Sequence, residues 1–452
     1  MSGFAWQKGI LNIAQALKPL LRAAFPASLL RTLKRRLVFS VYAKFEQVKI
    51  QPFDRAAYPD GVNLIGDIKG ETGLGESCRL LAGALAECAW PALAHHYRPA
   101  GALKNSDCSW DGKAQYAIKH NINLLHINPH ELPLAFLKLG ADKWHKRYNI
   151  AFWLWEMADF PAEWLPAFRL LDEIWTPTEF VSASIRQKTA LPVVTMPYYL
   201  PAPETDAKYG RKHFGLPEGK TLFLLMFDSL SITARKNPLG GIAAFKQAFG
   251  RKRRDVGLVV KINHPQPTEL AQIKSLLAGY GNVYIIAGTL PKIAVNSLIK
   301  CSDAFVSLHR SEGFGLVMAE AMLLKTPVVA TNWSANTEFM DSDVACMVDF
   351  SLVKVGRDIW PYKKNDRWAE PDIGQAAAYM RKLHENENFR ARIRQNAYAH
   401  IAAKFSRGGA AKAINNRIAE IYASRAPAGY GFGRPYGESP GGARQKRQRG
   451  QG

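Results

Sequence analysis

"SEGFGLVMAEAMLLKTPVVATNWS", residues 311–334, decides how this chain is read. It contains Glu312 and Glu320 with seven residues between them, and Gly313, Phe314 and Gly315 follow the first glutamate. The pattern is a turn, then an apolar helix, then a buried strand. The apolar run "DAFVSLH" (303–309) delivers the chain to this turn. In open α/β sheets ligands bind beyond the carboxyl ends of the strands. Unpaired N–H groups at a helix start favour anions. Gly313 and Gly315 let the backbone come close because they carry no side chain. Glu312 is then placed to accept hydrogen bonds from sugar hydroxyls. Glu320 suits a ribose diol, since a carboxylate accepts two such bonds in one plane. An ordinary surface helix would also favour acids near its start, and residue by residue the two readings stand level.

The same alternation extends in both directions. "GVNLIGDIKGETGLGES" (61–77) reads as a strand, a glycine loop and the start of a helix over about 76–88. "INLLHINP" (122–129), "NIAFWLWEM" (149–157) and "EIWTPT" (173–178) read as further strands. After the proline-rich stretch 191–206 the pattern restarts with "TLFLLMFD" (221–228), "VGLVVKIN" (256–263), "VYIIAG" (283–288), "DAFVSLH" and "PVVATN" (327–332). Helices are expected from Pro238, Pro267, Pro291 and Gly315, and over 373–386 and 388–424. Strand–helix alternation predicts parallel sheets covered by helices. The fold class is therefore α/β, with two Rossmann-like domains whose parallel sheets face a central cleft. The expected division is a helical extension (1–55), an N-terminal domain (56–195), a C-terminal domain (196–410), a last helix (411–425) and a tail (426–452).

Composition agrees with a globular protein: among 452 residues, 47% are hydrophobic and 22% charged. The five cysteines form no C-x-x-C pair, which argues against structural zinc. No apolar run approaches the ~20 residues of a membrane span, so a cytoplasmic location is expected. The net charge of +22 favours polyanionic partners: nucleic acid, anionic lipid or phosphorylated substrates. Residues 28–41 form a basic amphipathic segment. It suits either the inner face of an anionic membrane or the protein's own body, and periodicity does not separate the two. The Gly-, Gln- and Pro-rich tail has a disordered composition.

The stretch 311–334 resembles the E-x7-E signature of retaining GT-B glycosyltransferases of the family 4 type. "GETGLGES" resembles that family's acceptor-domain glycine loop, and "RKNPLGGIAAFKQAF" (235–249) its basic donor-domain motif. The resemblance spans roughly residues 60–424. It implies transfer of a sugar from a UDP-, GDP- or dTDP-sugar to a glycan or lipid-linked acceptor, with retention, in bacterial surface polysaccharide or lipopolysaccharide synthesis. It implies no cofactor and no metal. Glu312, Lys236 and Arg235 take the catalytic positions. Gly73, Gly75, Gly313, Phe314, Gly315 and Glu320 line the nucleotide-sugar site, with Lys261 and with Thr289 of "AGTLP" (287–291) at the base.

The sequence departs from the family in one place. Relatives carry an arginine before the motif lysine within a "G-R" pair, whereas Ser229, Leu230 and Ser231 stand here. Arg235 or Lys261 takes that role, although Lys261 also reads as a snorkelling strand lysine. For the acceptor side the sequence offers Glu156, at a strand end, and His126, which lies mid-run in an apolar strand and reads rather as a core histidine. "SANTEF" (334–339) brings Asn336 and Thr337 towards the diphosphate, while "DSD" (341–343) and "RKRR" (251–254) read as solvated loops. Three rivals stand beside the transferase. They are a nucleotide-sugar epimerase on the same fold, a non-catalytic subunit, and a nucleic-acid binder suggested by charge. The basic clusters lack the interleaved aromatics of a stacking surface, so no nucleic acid is expected.

Overall fold

The computed structural model describes residues 48–98, 107–111 and 117–424, with isolated positions between 20 and 36. The basic amphipathic extension lies almost wholly outside the described residues, and so does the tail 426–452.

The first sheet is built from β1 (Val62–Gly66), β2 (Ala92–His96), β3 (Ile122–His126), β4 (Tyr148–Phe152), β5 (Glu173–Thr176) and β6 (Val193–Thr195). Its order is β2-β1-β3-β4-β5-β6, parallel throughout. The second sheet contains β7 (Thr221–Asp228), β8 (Val256–Asn263), β9 (Val283–Ala287), β10 (Ala304–Ser307), β11 (Val328–Thr331) and β12 (Cys346–Val348). It is also parallel, in the order β12-β11-β10-β7-β8-β9. Strands buried on both faces need continuous apolar runs, and "TLFLLMFD" and "VGLVVKIN" supply them. The order reverses between β7 and β10, which makes the loops after these two strands the crevice of the second sheet.

Local signals set the helix starts. Pro238 and Pro267 occupy first-turn positions, where proline loses no hydrogen bond. Asn237 takes a left-handed conformation and its side chain caps the Gly240 N–H at 3.1 Å. Three expected strands end early, at His126, Phe152 and Thr176, because the chain turns there into loops at the carboxyl edge.

Other expectations need correction. The helix expected over 388–424 is two helices, Glu387–Lys404 and Arg407–Ser424, separated at Phe405. The Phe405 carbonyl accepts from Leu200 N–H at 3.1 Å. The second of these helices returns to the first sheet. There Tyr422 donates to Asn121 at 2.7 Å and accepts from Gly61 N–H at 3.1 Å, while Arg417 pairs with buried Glu173 at 2.7 Å. An antiparallel hairpin, β13 (Phe350–Lys354) with β14 (Arg367–Pro371), has no counterpart in the sequence reading. No described helix is long and apolar enough to cross a membrane.

An aromatic series joins the two halves. Phe152 packs on Tyr198 (5.7 Å), Tyr198 edge-on to Phe314 (4.8 Å), and Phe314 on Phe339 (5.2 Å) and Phe405 (5.3 Å). This continuous core holds the carboxyl edges of the two sheets face to face.

Candidate active site

The loop after β10 is pinned from several sides. The Glu312 N–H donates to Ser334 Oγ at 2.8 Å, and the Glu312 carbonyl accepts from Ala335 N–H at 3.2 Å. Ser334 holds φ +74°, a costly conformation for a residue with a side chain. His309, at the base of the loop, is buried. Its Nε2 lies 3.0 Å from Asn336 Oδ1, and Thr331 Oγ1 donates to its carbonyl at 2.6 Å. Burial lowers the affinity of His309 for a proton. Gly313 passes against the first domain: a Cβ there would stand 2.7 Å from the Trp155 carbonyl oxygen, and Thr178 Oγ1 donates to the Gly313 carbonyl at 3.1 Å. Gly315 holds φ +95° and starts the helix Leu316–Leu323.

Glu312 is 7% exposed and meets two cations. Lys236 Nζ pairs with its Oε1, and Arg235 Nη1 lies 3.1 Å from its Oε2. Both come from the short helix Thr233–Lys236 after β7, on the other side of the switch point. Burial alone would raise the carboxyl, but Lys236 and Arg235 outweigh it and hold the group at about 2. Glu312 is therefore ionised at any physiological pH. Arg235 is itself buried; its guanidinium also donates to the Ser311 carbonyl at 2.8 Å. From the first domain, Glu156 Oε1 approaches Arg235 Nη2 at 3.6 Å, and the Glu156 carbonyl accepts from Ser311 Oγ. Glu312, Lys236, Arg235 and Glu156 thus form one charge cluster across the cleft.

Glu320 lies one helix away in a second cluster. Lys292, first residue of the helix Lys292–Lys300, pairs with it at 2.5 Å. The same ammonium is 3.7 Å from Glu76 of the first domain. Burial raises the Glu320 carboxyl, Lys292 opposes this, and the result is a raised value. Lys292 carried no motif signal; its only sequence cue is that it follows Pro291 at the carboxyl edge of β9. Thr289 is exposed in the same loop.

Five further sequence-derived candidates are buried. Phe314 is 3% exposed and packs in the aromatic series, so its side chain anchors the loop from the interior. Lys261 is fully buried, and its ammonium donates to Gly288 O and Asn263 Oδ1, both at 2.5 Å. Burial lowers it to about 8. It braces the loop before Thr289 from inside. Gly75 is needed because a Cβ would collide with the Gly70 carbonyl, but its N–H is already taken by Thr72 Oγ1 at 3.1 Å. Gly73 starts that helix in open space. His126 is buried, with Nε2 2.7 Å from Ser77 Oγ, and burial pushes it down to about 4. It is an interior histidine. Asn336 likewise pins His309 from the interior, whereas Thr337 is exposed. The Asp341–Asp343 turn is exposed, with Asp343 N–H donating to Asp341 Oδ1 at 2.9 Å. Residues 251–254 are exposed as expected.

Residues 230–354 match the family model described as "Glycosyl transferases group 1". No curated protein sequence matches the chain. Among solved structures, HepE of Anabaena in complex with UDP and glucose is 17% identical, with a TM-score of 0.55, covering 80% of this chain and 100% of HepE. A glycosyltransferase of Rickettsia africae is 14% identical, with a TM-score of 0.55, covering 81% and 99%. WaaG, a glycosyltransferase involved in lipopolysaccharide biosynthesis, is 13% identical, with a TM-score of 0.51, covering 78% and 99%. The chain has the two-domain GT-B fold of these glycosyltransferases, and its segment 230–354, which carries Arg235, Lys236, Glu312 and Glu320, matches the group 1 glycosyl transferase model.

Proposed function

We propose that this protein is a glycosyltransferase that moves a sugar from a UDP-sugar to an acceptor hydroxyl, with retention of configuration. The observation that supports it most is the ionised Glu312 held between Lys236 and Arg235 at the switch point of the second sheet. Residues 56–195 act as the acceptor domain and 196–410 as the donor domain. Breaking the sugar–phosphate bond leaves growing negative charge on the diphosphate, and stabilising it is the main electrostatic task. Lys236, only partly buried, supplies that charge without a metal as a point charge with three donors, while buried Arg235 holds Glu312 and the Ser311 carbonyl in place. Glu312 and the Gly313–Gly315 backbone meet the sugar, Glu320 takes the ribose diol, and the loop at Thr289 receives the base. Gly73, at the helix start across the cleft, brings the first domain to the phosphates. The acceptor hydroxyl enters beside Glu156. Front-side attack guided by the leaving phosphate gives retention. A glycan or lipid-linked acceptor in surface polysaccharide synthesis fits this chemistry.

The test is a thermal-shift screen of UDP-, GDP- and dTDP-sugars in EDTA, with Glu320→Ala as control. Ligands that bind only the folded state raise the melting temperature with concentration. The reading expects a UDP-sugar to raise it and the variant to lose most of that rise. A shift produced by DNA or anionic vesicles alone would overturn the reading. A UDP-sugar converted to its epimer, with no UDP released, would replace it with the epimerase.

A further inference from the structure

The hairpin β13–β14 belongs to the second sheet's half of the chain, yet its tip lies on the first domain. Tyr362 is buried, 2% exposed, and its hydroxyl donates to Glu156 Oε2 at 3.1 Å from 206 residues away. The hairpin is rooted beside the charge cluster. Ala369 N–H donates to the Arg310 carbonyl at 2.9 Å, and the Arg310 guanidinium grips Glu370 at 2.7 Å. Lys363 reaches Glu163 at 2.6 Å, and Trp360 stands edge-on to His130 at 5.1 Å. Glu156 is thus held from two directions by the other half of the molecule: by Tyr362 on Oε2 and by Arg235, 3.6 Å from Oε1.

We propose that Tyr362 is a positioning residue that fixes the Glu156 carboxylate to receive the entering acceptor hydroxyl. The inference rests on the transferase reading. A carboxylate oxygen has two lone pairs. With one taken by Tyr362, Oε2 keeps the other in a fixed direction, and Arg235 sets the plane of the group. A freely rotating carboxylate would misplace the hydroxyl, and small misplacements are costly in rate. The acceptor side is therefore complete only when the hairpin is docked, so a carboxylate of the first domain depends on a hydroxyl from the second. The ring of Tyr362 also packs on Trp155 at 5.6 Å and Trp368 at 6.3 Å. Packing needs the ring alone, and positioning needs the hydroxyl.

Tyr362→Phe separates the two roles, and Lys363→Ala serves as a control for hairpin docking. Steady-state hydrolysis of UDP-glucose, UDP-galactose and UDP-N-acetylglucosamine, with water as acceptor, is measured beside UDP affinity by calorimetry. Tyr362→Phe should lower kcat about tenfold while donor KM and UDP affinity stay within about twofold. Lys363→Ala should leave all three within about twofold. A Tyr362→Phe enzyme with wild-type kcat would overturn the proposal, as would one whose UDP affinity falls as far as its kcat. A wild type that binds no UDP and hydrolyses none of the three removes the transferase reading, and this proposal with it.

Discussion

Arg235 Nη1 stands 3.1 Å from Glu312 Oε2. Both groups are buried, and Lys236 closes the other side of the carboxylate. Taking one member from a buried pair leaves an uncompensated charge, which costs more than the pair itself contributes. Glu312→Gln keeps the shape and removes the charge. It should lower stability by about 3 kcal/mol in urea unfolding at pH 7, since Glu156, at 3.6 Å, is then the one carboxylate paired with Arg235 among the described residues. The Glu312 carboxyl falls from an ordinary 4.5 to about 2 on folding. A lowered carboxyl stabilises the fold above its unfolded value, and that contribution is lost as pH drops from 4.5 towards 2. Wild type should lose stability faster than Glu312→Gln across that window. Equal slopes would mean that Glu312 is not held by its cations.

The glycines of the two motifs should behave oppositely. Gly313→Ala drives a Cβ to 2.7 Å from the Trp155 carbonyl, which belongs to the other domain. It should cost about 1–3 kcal/mol and weaken the thermal shift given by a UDP-sugar. Gly73→Ala meets nothing within 4 Å and sits in a helix. It should gain about 0.5 kcal/mol by restricting the unfolded chain. Matching effects from the two substitutions would contradict the loop geometry.

His126 gives a second pH signature. It falls from 6.5 to about 4 on burial, so the unfolded chain takes up its proton first. Its contribution is complete above pH 6.5 and is lost as pH drops towards 4. Stability should decline over that range, and His126→Gln should make the decline shallower. His309 shifts in the same direction and keeps part of the slope in the variant. An unchanged slope would show that His126 takes up its proton at the same pH in the folded and unfolded chain.

Much of this architecture is legible in the sequence because parallel strands buried on both faces must be apolar throughout. β7 and β8 coincide with the runs 221–228 and 256–263. Proline marked the helix starts at 238 and 267 for the same local reason. Long-range partners were not legible. Nothing near Lys292 points to Glu320, and nothing near Tyr362 points to Glu156. The hairpin was hidden because "FSLVK" and "RWAEP" are half-exposed strands without a clean alternation. β2, "ALAHH", lies at a sheet edge and carries two histidines, so it lacks the apolar run of its neighbours. Phe314 sat in the right motif, but whether its ring faced a ligand or the core depended on Tyr198, Phe339 and Phe405, which only the fold brings together.

The most direct test of the central claim is calorimetric titration of UDP, in EDTA, into wild type, Lys236→Ala and Glu320→Ala. Lys236 and Glu320 address the two ends of the proposed nucleotide site, phosphate and ribose. The expected result is saturable binding by the wild type and a loss of about tenfold or more in each variant, which is about 1.4 kcal/mol. A wild type that takes up no UDP, or variants that bind it as tightly as wild type, would contradict the assignment of the site.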